Sequence, residues 1–186
     1  MKKIFIVILL ICSYCTQNRK LSKQEEFILH SMEVYSIQSE NNESISLLDI
    51  AIDFEGFLLE NNYLKSTSKE NYKGFYDKYL LGGTKLNMAK LYKDNNAYFS
   101  LSYPSNQARS WFIYNEAVNK FNNDLSDTPF LIDVVKLLDD FKYRDFMGKD
   151  LYNKYIDCIP DKDFSEKDIY RVPILIHLFG ELEFKN

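Results

Sequence analysis

Apolar residues recur at helical spacing along most of the chain. Residues 45–64 show the pattern strongly, with Ser44 placed to cap the amino end of a helix. A second helix is predicted from the capping-box spacing between Thr67 and Glu70 to the glycine pair at 82–83. Because the chain holds 6 glycines and 4 prolines, few positions interrupt these patterns.

The carboxyl-terminal part continues the helical pattern in several shorter segments. Each segment places apolar side chains along one face, which predicts a buried stripe. The predicted helices are 85–93, 107–121, one that starts at Pro129 behind a cap at Asp127 or Thr128, 148–159, and one that opens at Ser165-x-x-Asp168 and is kinked or divided by Pro173.

Some segments leave their secondary structure open. Residues 22–38 fit a helix or a strand, and residues 97–103 favour a strand or an extended segment stopped by Pro104. Residues 39–43 indicate a loop, and residues 169–184 also alternate as a strand would. Six or seven short helices with at most a hairpin predict a mostly α fold, an irregular helical bundle. An α+β domain with a small sheet is the alternative.

The amino terminus has the layout of an export signal. Two lysines follow the first methionine, and an unbroken apolar run over residues 4–11 leads into Cys12 and Cys15. The run is too short to remain as a spanning helix, which needs roughly 20 apolar residues. The predicted organisation is a signal segment at 1–15, a polar tether at 16–22 and a single globular domain at 23–186.

A cysteine directly after an apolar run resembles the bacterial lipoprotein signal, in which that cysteine receives lipid and becomes the first mature residue. Cys15 is the favoured lipidation site because Ser13 lies close by and a polar segment follows, and Cys12 is the alternative. The resemblance implies an exported protein, held on the periplasmic or cell-surface side by its lipid. Thr16 stands where many inner-membrane lipoproteins carry Asp, which favours the outer membrane. Ordinary signal cleavage and an uncleaved anchor are the other readings of this segment.

Charge and composition argue against several classes of protein. The chain has 23 basic and 27 acidic residues, a net charge of −4, and no long basic run, so a nucleic-acid partner is not expected. Its histidines, His30 and His177, have no ligand-type neighbour at a recognisable spacing, so neither a zinc site nor a cofactor is expected. His177 is expected at the surface or a boundary. Cys158 is expected to be a small buried hydrophobe.

Residues 161–165 begin like a calcium-binding loop. Asp161 and Asp163 stand at its first and third positions. Glu166 replaces the glycine needed for the turn, and Val172 replaces the glutamate that closes the metal shell. The segment is therefore interpreted as a loop and a helix cap.

Glu55 is the one candidate for acid or base chemistry, because it projects from the apolar arc of its predicted helix. Glycan or peptidoglycan hydrolysis would need a second carboxyl group nearby. A simpler interpretation is that Glu55 forms a buried ion pair with Arg109, Arg144 or Arg171.

Two further sets of residues are candidates for binding. One is a polar stripe on the predicted helix at 45–64, where a solvated surface is the simpler interpretation. The other belongs to an aromatic cluster, where core packing explains most of the pattern. The stripe residues are Asp49, Asp53 and Glu60, and the aromatic candidates are Tyr98, Trp111 and Tyr114.

The leading functional hypothesis is a non-enzymatic envelope lipoprotein that binds a protein or an envelope component. The chain lacks the G-x-S-x-G, phosphate-loop and H-E-x-x-H motifs, which removes common enzyme signatures. One alternative is a periplasmic inhibitor or immunity-type protein that uses the acidic stripe against a basic site. Another is a glycan or peptidoglycan hydrolase that uses Glu55.

Overall fold

Helices form most of the structure, a computed structural model that describes residues 21–38, 44–87, 89–91, 104–142 and 147–185. The prediction of a mostly α fold is confirmed. The helices are α1 Lys23–Val34, α2 Leu47–Glu60, α3 Lys69–Phe75, α4 Pro104–Lys120, α5 Leu131–Phe141, α6 Lys149–Cys158, α7 Asp161–Glu166 and α8 Val172–Lys185. A π-helical turn, Tyr76–Leu81, extends α3, and a 3₁₀ turn, Asp168–Tyr170, precedes α8.

Residues 22–38 contain both of the structures that their sequence allowed. The segment holds helix α1 and then strand β1, Ser36–Gln38. Strand β1 pairs antiparallel with β2, Ser44–Ser46, with Ile37 opposite Ile45. The predicted loop at 39–43 lies outside the described residues.

Serine side chains cap the first three helices. Ser22, Ser46 and Ser68 each accept a hydrogen bond from the backbone N–H three residues later, at 3.2, 2.9 and 3.4 Å. At Ser22 the cap is reciprocal, because its own N–H donates to Glu25 Oε2 at 2.9 Å. This capping box fixes the start of α1.

Two predicted caps are wrong by one or two positions. Ser44 does not cap α2, because residues 44–46 pair with β1 and the helix begins only after them. Thr67 does not cap α3, because its hydroxyl donates instead to the carbonyl of Ser165 at 3.1 Å. The predicted end of the second helix is confirmed, since Gly82 follows the π-helical turn and Gly83 has φ +69°.

Two prolines lie in the first turn of a helix, a position that the sequence pattern did not predict for them. Pro104 was predicted to stop a strand, but it is the first residue of α4. At this position proline costs no helical hydrogen bond, because a backbone N–H there has no acceptor within the helix. Pro173 was predicted to kink or divide the last helix, but it is the second residue of α8, which continues unbroken to Lys185. Residues 172–185 are therefore helical and the strand alternative is wrong. The predicted strand at 97–103 lies outside the described residues.

Three other predicted segments differ from the structure in their bounds or their type. The helix predicted to start at Pro129 begins instead at Leu131, as α5, and no side chain caps it. Thr128 contributes its backbone carbonyl, which accepts the N–H of Leu131 at 3.1 Å. Residues 161–165 form most of helix α7, so their interpretation as a loop is wrong. Of the short helix predicted at 85–93, residues 89–91 are helical, while 85–87 are not.

Helix α8 lies at the centre of the hydrophobic core. All residues from 171 to 182 are buried, and α2 and α4 both pack against this helix. The rings of Phe54 on α2 and Phe179 on α8 meet edge to face, with centroids 5.2 Å apart. His177 is only 1% exposed, so its expected surface position is wrong: α8 is enclosed on every side rather than on one. Within the described ranges, no helix combines the length and apolarity needed to cross a membrane.

Candidate functional site

Glu55 and Arg171 form a buried ion pair. Arg171 Nε donates to Glu55 Oε1 at 2.7 Å, and Nη2 donates to Oε2 at 3.1 Å. Two parallel charge-assisted hydrogen bonds of this kind fix the orientation of both side chains. Of the three arginines considered as partners of Glu55, Arg171 makes the pair. Arg144 lies outside the described residues, and Arg109 is exposed on α4.

Further polar groups complete the surroundings of this pair. The Tyr72 hydroxyl donates to Glu55 Oε1, and Arg171 also donates to the carboxylate of Asp168 and to the carbonyl of Phe164. Burial opposes the charged form of Arg171, but the hydrogen bond and charge of Glu55 outweigh it and raise the arginine pKa. Burial and the charge of Glu55 raise the pKa of Tyr72 well above its ordinary value.

A second buried carboxylate, Glu25, has its own set of partners. It accepts hydrogen bonds from Lys167 Nζ at 2.5 Å and from the Tyr170 hydroxyl at 2.6 Å. Lys167 is shared with Asp163, 2.8 Å away. Burial alone would raise the pKa of Glu25, but the hydrogen bonds from Lys167, Tyr170 and Ser22 lower it. Glu25 is not among the residues predicted from the sequence, although the spacing Ser22-x-x-Glu25 is a capping-box signal.

One short segment supplies the partners of both buried glutamates. We call residues 163–171 the clamp segment, because it carries Lys167, Tyr170 and Arg171. Two backbone carbonyls of the clamp segment accept hydrogen bonds from the hydroxyls of buried tyrosines. The Tyr114 hydroxyl donates to the carbonyl of Ile169 at 2.5 Å, and the Tyr155 hydroxyl donates to the carbonyl of Tyr170 at 3.0 Å. The clamp segment thus fastens α1 and α2 to the start of α8.

This arrangement favours a structural role for Glu55. Both of its oxygens accept hydrogen bonds from buried groups of the same chain. A glycoside hydrolase needs an acid and a second carboxyl group that face a substrate from two sides. The carboxylate of Asp168 instead shares Arg171 with Glu55. The geometry therefore gives the hydrolase hypothesis no specific support.

The candidate acidic stripe lies on the outer face of α2. Asp49, Asp53 and Glu60 are all exposed, on the side of the helix away from its buried residues. Partial burial and the negative charge of Asp49 raise the pKa of Asp53. The three carboxylates are available to a binding partner, as the inhibitor hypothesis requires.

The aromatic candidates occupy different environments. Tyr114 is fully buried and, through its hydrogen bond to Ile169, belongs to the core. Trp111 is partly buried, with Lys142 Nζ 3.5 Å from its ring centroid. Tyr98 lies outside the described residues. Phe112, which follows Trp111 on α4, is exposed, so its ring is more accessible to a partner than that of Trp111.

Within the described residues, neither the Cys158 thiol nor the metal-ligating side chains form a reactive site. The Cys158 thiol is half-buried and donates to the carbonyl of Tyr155 at 3.1 Å. Burial, with the nearby charge of Asp133, raises its pKa to about 12, so it is a poor nucleophile. In the same ranges, no three or more histidine, cysteine or carboxylate side chains are grouped to hold a metal ion.

Comparison of the chain with protein-family models, curated proteins and solved structures finds no match.

Proposed function

We propose that the protein is a non-enzymatic lipoprotein of the cell envelope that binds a protein or another envelope component. Lipid on Cys15 would anchor it, on the periplasmic or cell-surface side and preferentially at the outer membrane. The observation that carries the proposal is the capping box at Ser22 and Glu25, which starts the folded domain directly after the predicted tether. The lipid signal and the domain are thus adjacent along the chain, as tethering requires.

The tether is short enough to keep the domain close to the membrane. Residues 16–22 separate Cys15 from the first residue of α1. An extended chain spans about 3.3–3.6 Å per residue, so these residues reach about 25 Å at most. The domain would therefore act on partners at or near the membrane surface.

Binding without catalysis agrees with how the buried charges are used. Glu25, Glu55, Lys167 and Arg171 are joined to one another or to neighbouring backbone and tyrosine groups. These contacts stabilise the fold and leave the exposed surfaces to make contact with a partner. The exposed stripe on α2 keeps the inhibitor or immunity-type function as a second candidate, with Asp49, Asp53 and Glu60 facing a basic site.

The test is intact mass and membrane fractionation of the wild type and two matched variants expressed in a bacterium. Wild type and Cys12→Ser should carry a lipid-sized mass increment and sediment with membranes. Cys15→Ser should lose both, because it lacks the acceptor thiol. If Cys12→Ser alone loses the lipid, the anchor is Cys12. If all three proteins are unmodified and soluble, the lipoprotein proposal is wrong.

A further inference from the structure

An exposed arginine on α4 lies close to two aromatic rings, one of them just beyond the end of α1. The guanidinium carbon of Arg109 is 4.4 Å from the ring centroid of Tyr35 and 5.8 Å from that of Phe112. Phe112 is 47% exposed. We call Tyr35, Arg109 and Phe112 the arginine patch. Arginine and aromatic residues are the types most enriched in the centres of protein interfaces.

Arg109 has no acidic partner among the residues that the structure describes, in contrast to Arg171. Arg171 is buried and donates to Glu55, Asp168 and Phe164. Within the described part of the chain, Arg109 contacts the rings of Tyr35 and Phe112. These rings restrict the orientation of the guanidinium, so less side-chain freedom is lost when an anion binds it.

The arginine patch is distant from the point where the tether enters the domain. Helices α1 and α4 run in opposite directions: Lys23, at the start of α1, forms an ion pair of 2.9 Å with Asp124, just beyond the end of α4. Tyr35, just beyond the other end of α1, contacts Arg109 near the start of α4. A helix of 12 residues is about 18 Å long, at about 1.5 Å per residue. The patch therefore lies about one helix length away from the anchored end.

We propose that the arginine patch is the surface by which the domain binds its protein partner, and that the partner presents a carboxylate beside an apolar side chain. This inference rests on the proposed binding function. The carboxylate would accept two hydrogen bonds from the Arg109 guanidinium, whose fork matches its geometry. The apolar neighbour would cover Phe112, removing its exposed surface from water.

The charges of the arginine patch and of the whole chain limit which partner fits the patch. A symmetric dimer that used the patch would bring two Arg109 side chains together, so a second copy of the chain is a poor fit. The chain as a whole carries a net charge of −4, which opposes a strongly acidic partner at long range. The fitting ligand is thus a segment with a local carboxylate, not a polyacidic surface.

The test selects ligands from a random twelve-residue peptide library displayed on phage, with the full chain immobilised in detergent. Peptides that bind should share an Asp or Glu next to an apolar residue. Their affinity should fall roughly tenfold or more for Arg109→Gln and for Phe112→Ala, as at an interface hot spot. Arg109→Lys should also lose affinity, because an ammonium group cannot form the two-pronged contact.

Two exposed apolar residues elsewhere provide matched controls. Ile132→Ala and Leu81→Ala remove side chains that are 41% and 55% exposed on other elements, and peptide affinity should stay within about twofold of wild type. Circular dichroism checks that every variant is folded. A selection that yields no peptide, or peptides that bind Arg109→Gln as tightly as wild type, overturns the assignment. Because the selection does not depend on lipid, it can succeed or fail independently of the Cys15 experiment.

Discussion

The hydroxyl of Tyr76 donates a hydrogen bond to the backbone carbonyl of Met147 at 2.5 Å. The same use of tyrosine recurs through the core, where a ring fills apolar space and its hydroxyl satisfies a buried acceptor. Six buried tyrosines act in this way: two donate to the carbonyls of Met147 and Ile169, two to the carbonyls of other tyrosines and two to the buried glutamates. They are Tyr72, Tyr76, Tyr114, Tyr152, Tyr155 and Tyr170.

We expect these tyrosines to make the fold unusually sensitive to alkali. Burial raises the pKa of all six above the ordinary value of 10.0. Above pH 10 the unfolded chain releases phenolic protons that the folded chain retains, so stability is full below that pH and falls as pH rises. The slope is up to about 1.4 kcal/mol per pH unit for each tyrosine.

Urea unfolding at a series of alkaline pH values, with tyrosinate absorbance recorded in parallel, checks this expectation. The buried tyrosines should ionise together with unfolding, in one cooperative step. Tyr114→Phe should reduce the alkaline slope while costing the hydrogen bond to Ile169. Gradual ionisation of all tyrosines in a chain that stays folded would contradict the assignment.

Removal of one partner from the Glu55–Arg171 pair should be strongly destabilising. Arg171→Met leaves Glu55 buried without a counter-charge, and Glu55→Leu leaves Arg171 with only the half-exposed carboxylate of Asp168. Loss of one partner of a buried pair typically costs about 3–5 kcal/mol of unfolding free energy. The double variant Glu55→Leu/Arg171→Met removes both charges and should be less destabilised than the sum of the single variants. Urea denaturation of all four proteins measures this coupling.

The exposed pair of Asp133 and Lys136, 3.1 Å apart, is the control for that experiment. Asp133→Asn should change stability by less than about 1 kcal/mol, because exposed ion pairs are screened by water. Strictly additive losses at Glu55 and Arg171 would show that their ion pair contributes little coupling.

Glu25 should contribute stability that acid removes. Its folded-state pKa is lowered below the ordinary 4.5, so its contribution is complete above that value and is lost as pH falls through the folded pKa. Glu25→Gln should therefore destabilise the protein at neutral pH and flatten the acid limb of the stability curve. The neighbouring exposed Glu26 supplies the control variant Glu26→Gln, which should follow the wild type from neutral pH to about pH 3. An unchanged acid limb in Glu25→Gln would contradict the prediction.

The helical fold could be predicted because its signal is local. The apolar spacing of α2, α4 and α6 lies within each segment, and the structure has these helices. The burial of Glu55 could be expected for the same reason, since it lies on the apolar arc of one helix.

The partners of Glu55 and Glu25 could not be predicted, because they depend on how distant segments pack together and not on the spacing of residues within one segment. Three arginines were equally suitable for Glu55 until the clamp segment placed Arg171 beside it. Glu25 was overlooked because a glutamate in a first helical turn is usually solvated, and only long-range contacts with Lys167 and Tyr170 bury it. Pro173 was misjudged because its effect depends on the position at which α8 begins.

The clamp segment also determines when the chain can fold. Lys167 and Tyr170 lie 142 and 145 residues after Glu25, and Arg171 lies 116 residues after Glu55. While these late residues remain on the ribosome, both glutamates lack their counter-charges and the core lacks its central helix. Contacts so far apart in sequence slow folding, because the loop entropy must be lost before they form. A nascent chain would therefore stay unfolded at least until the clamp segment has left the ribosome.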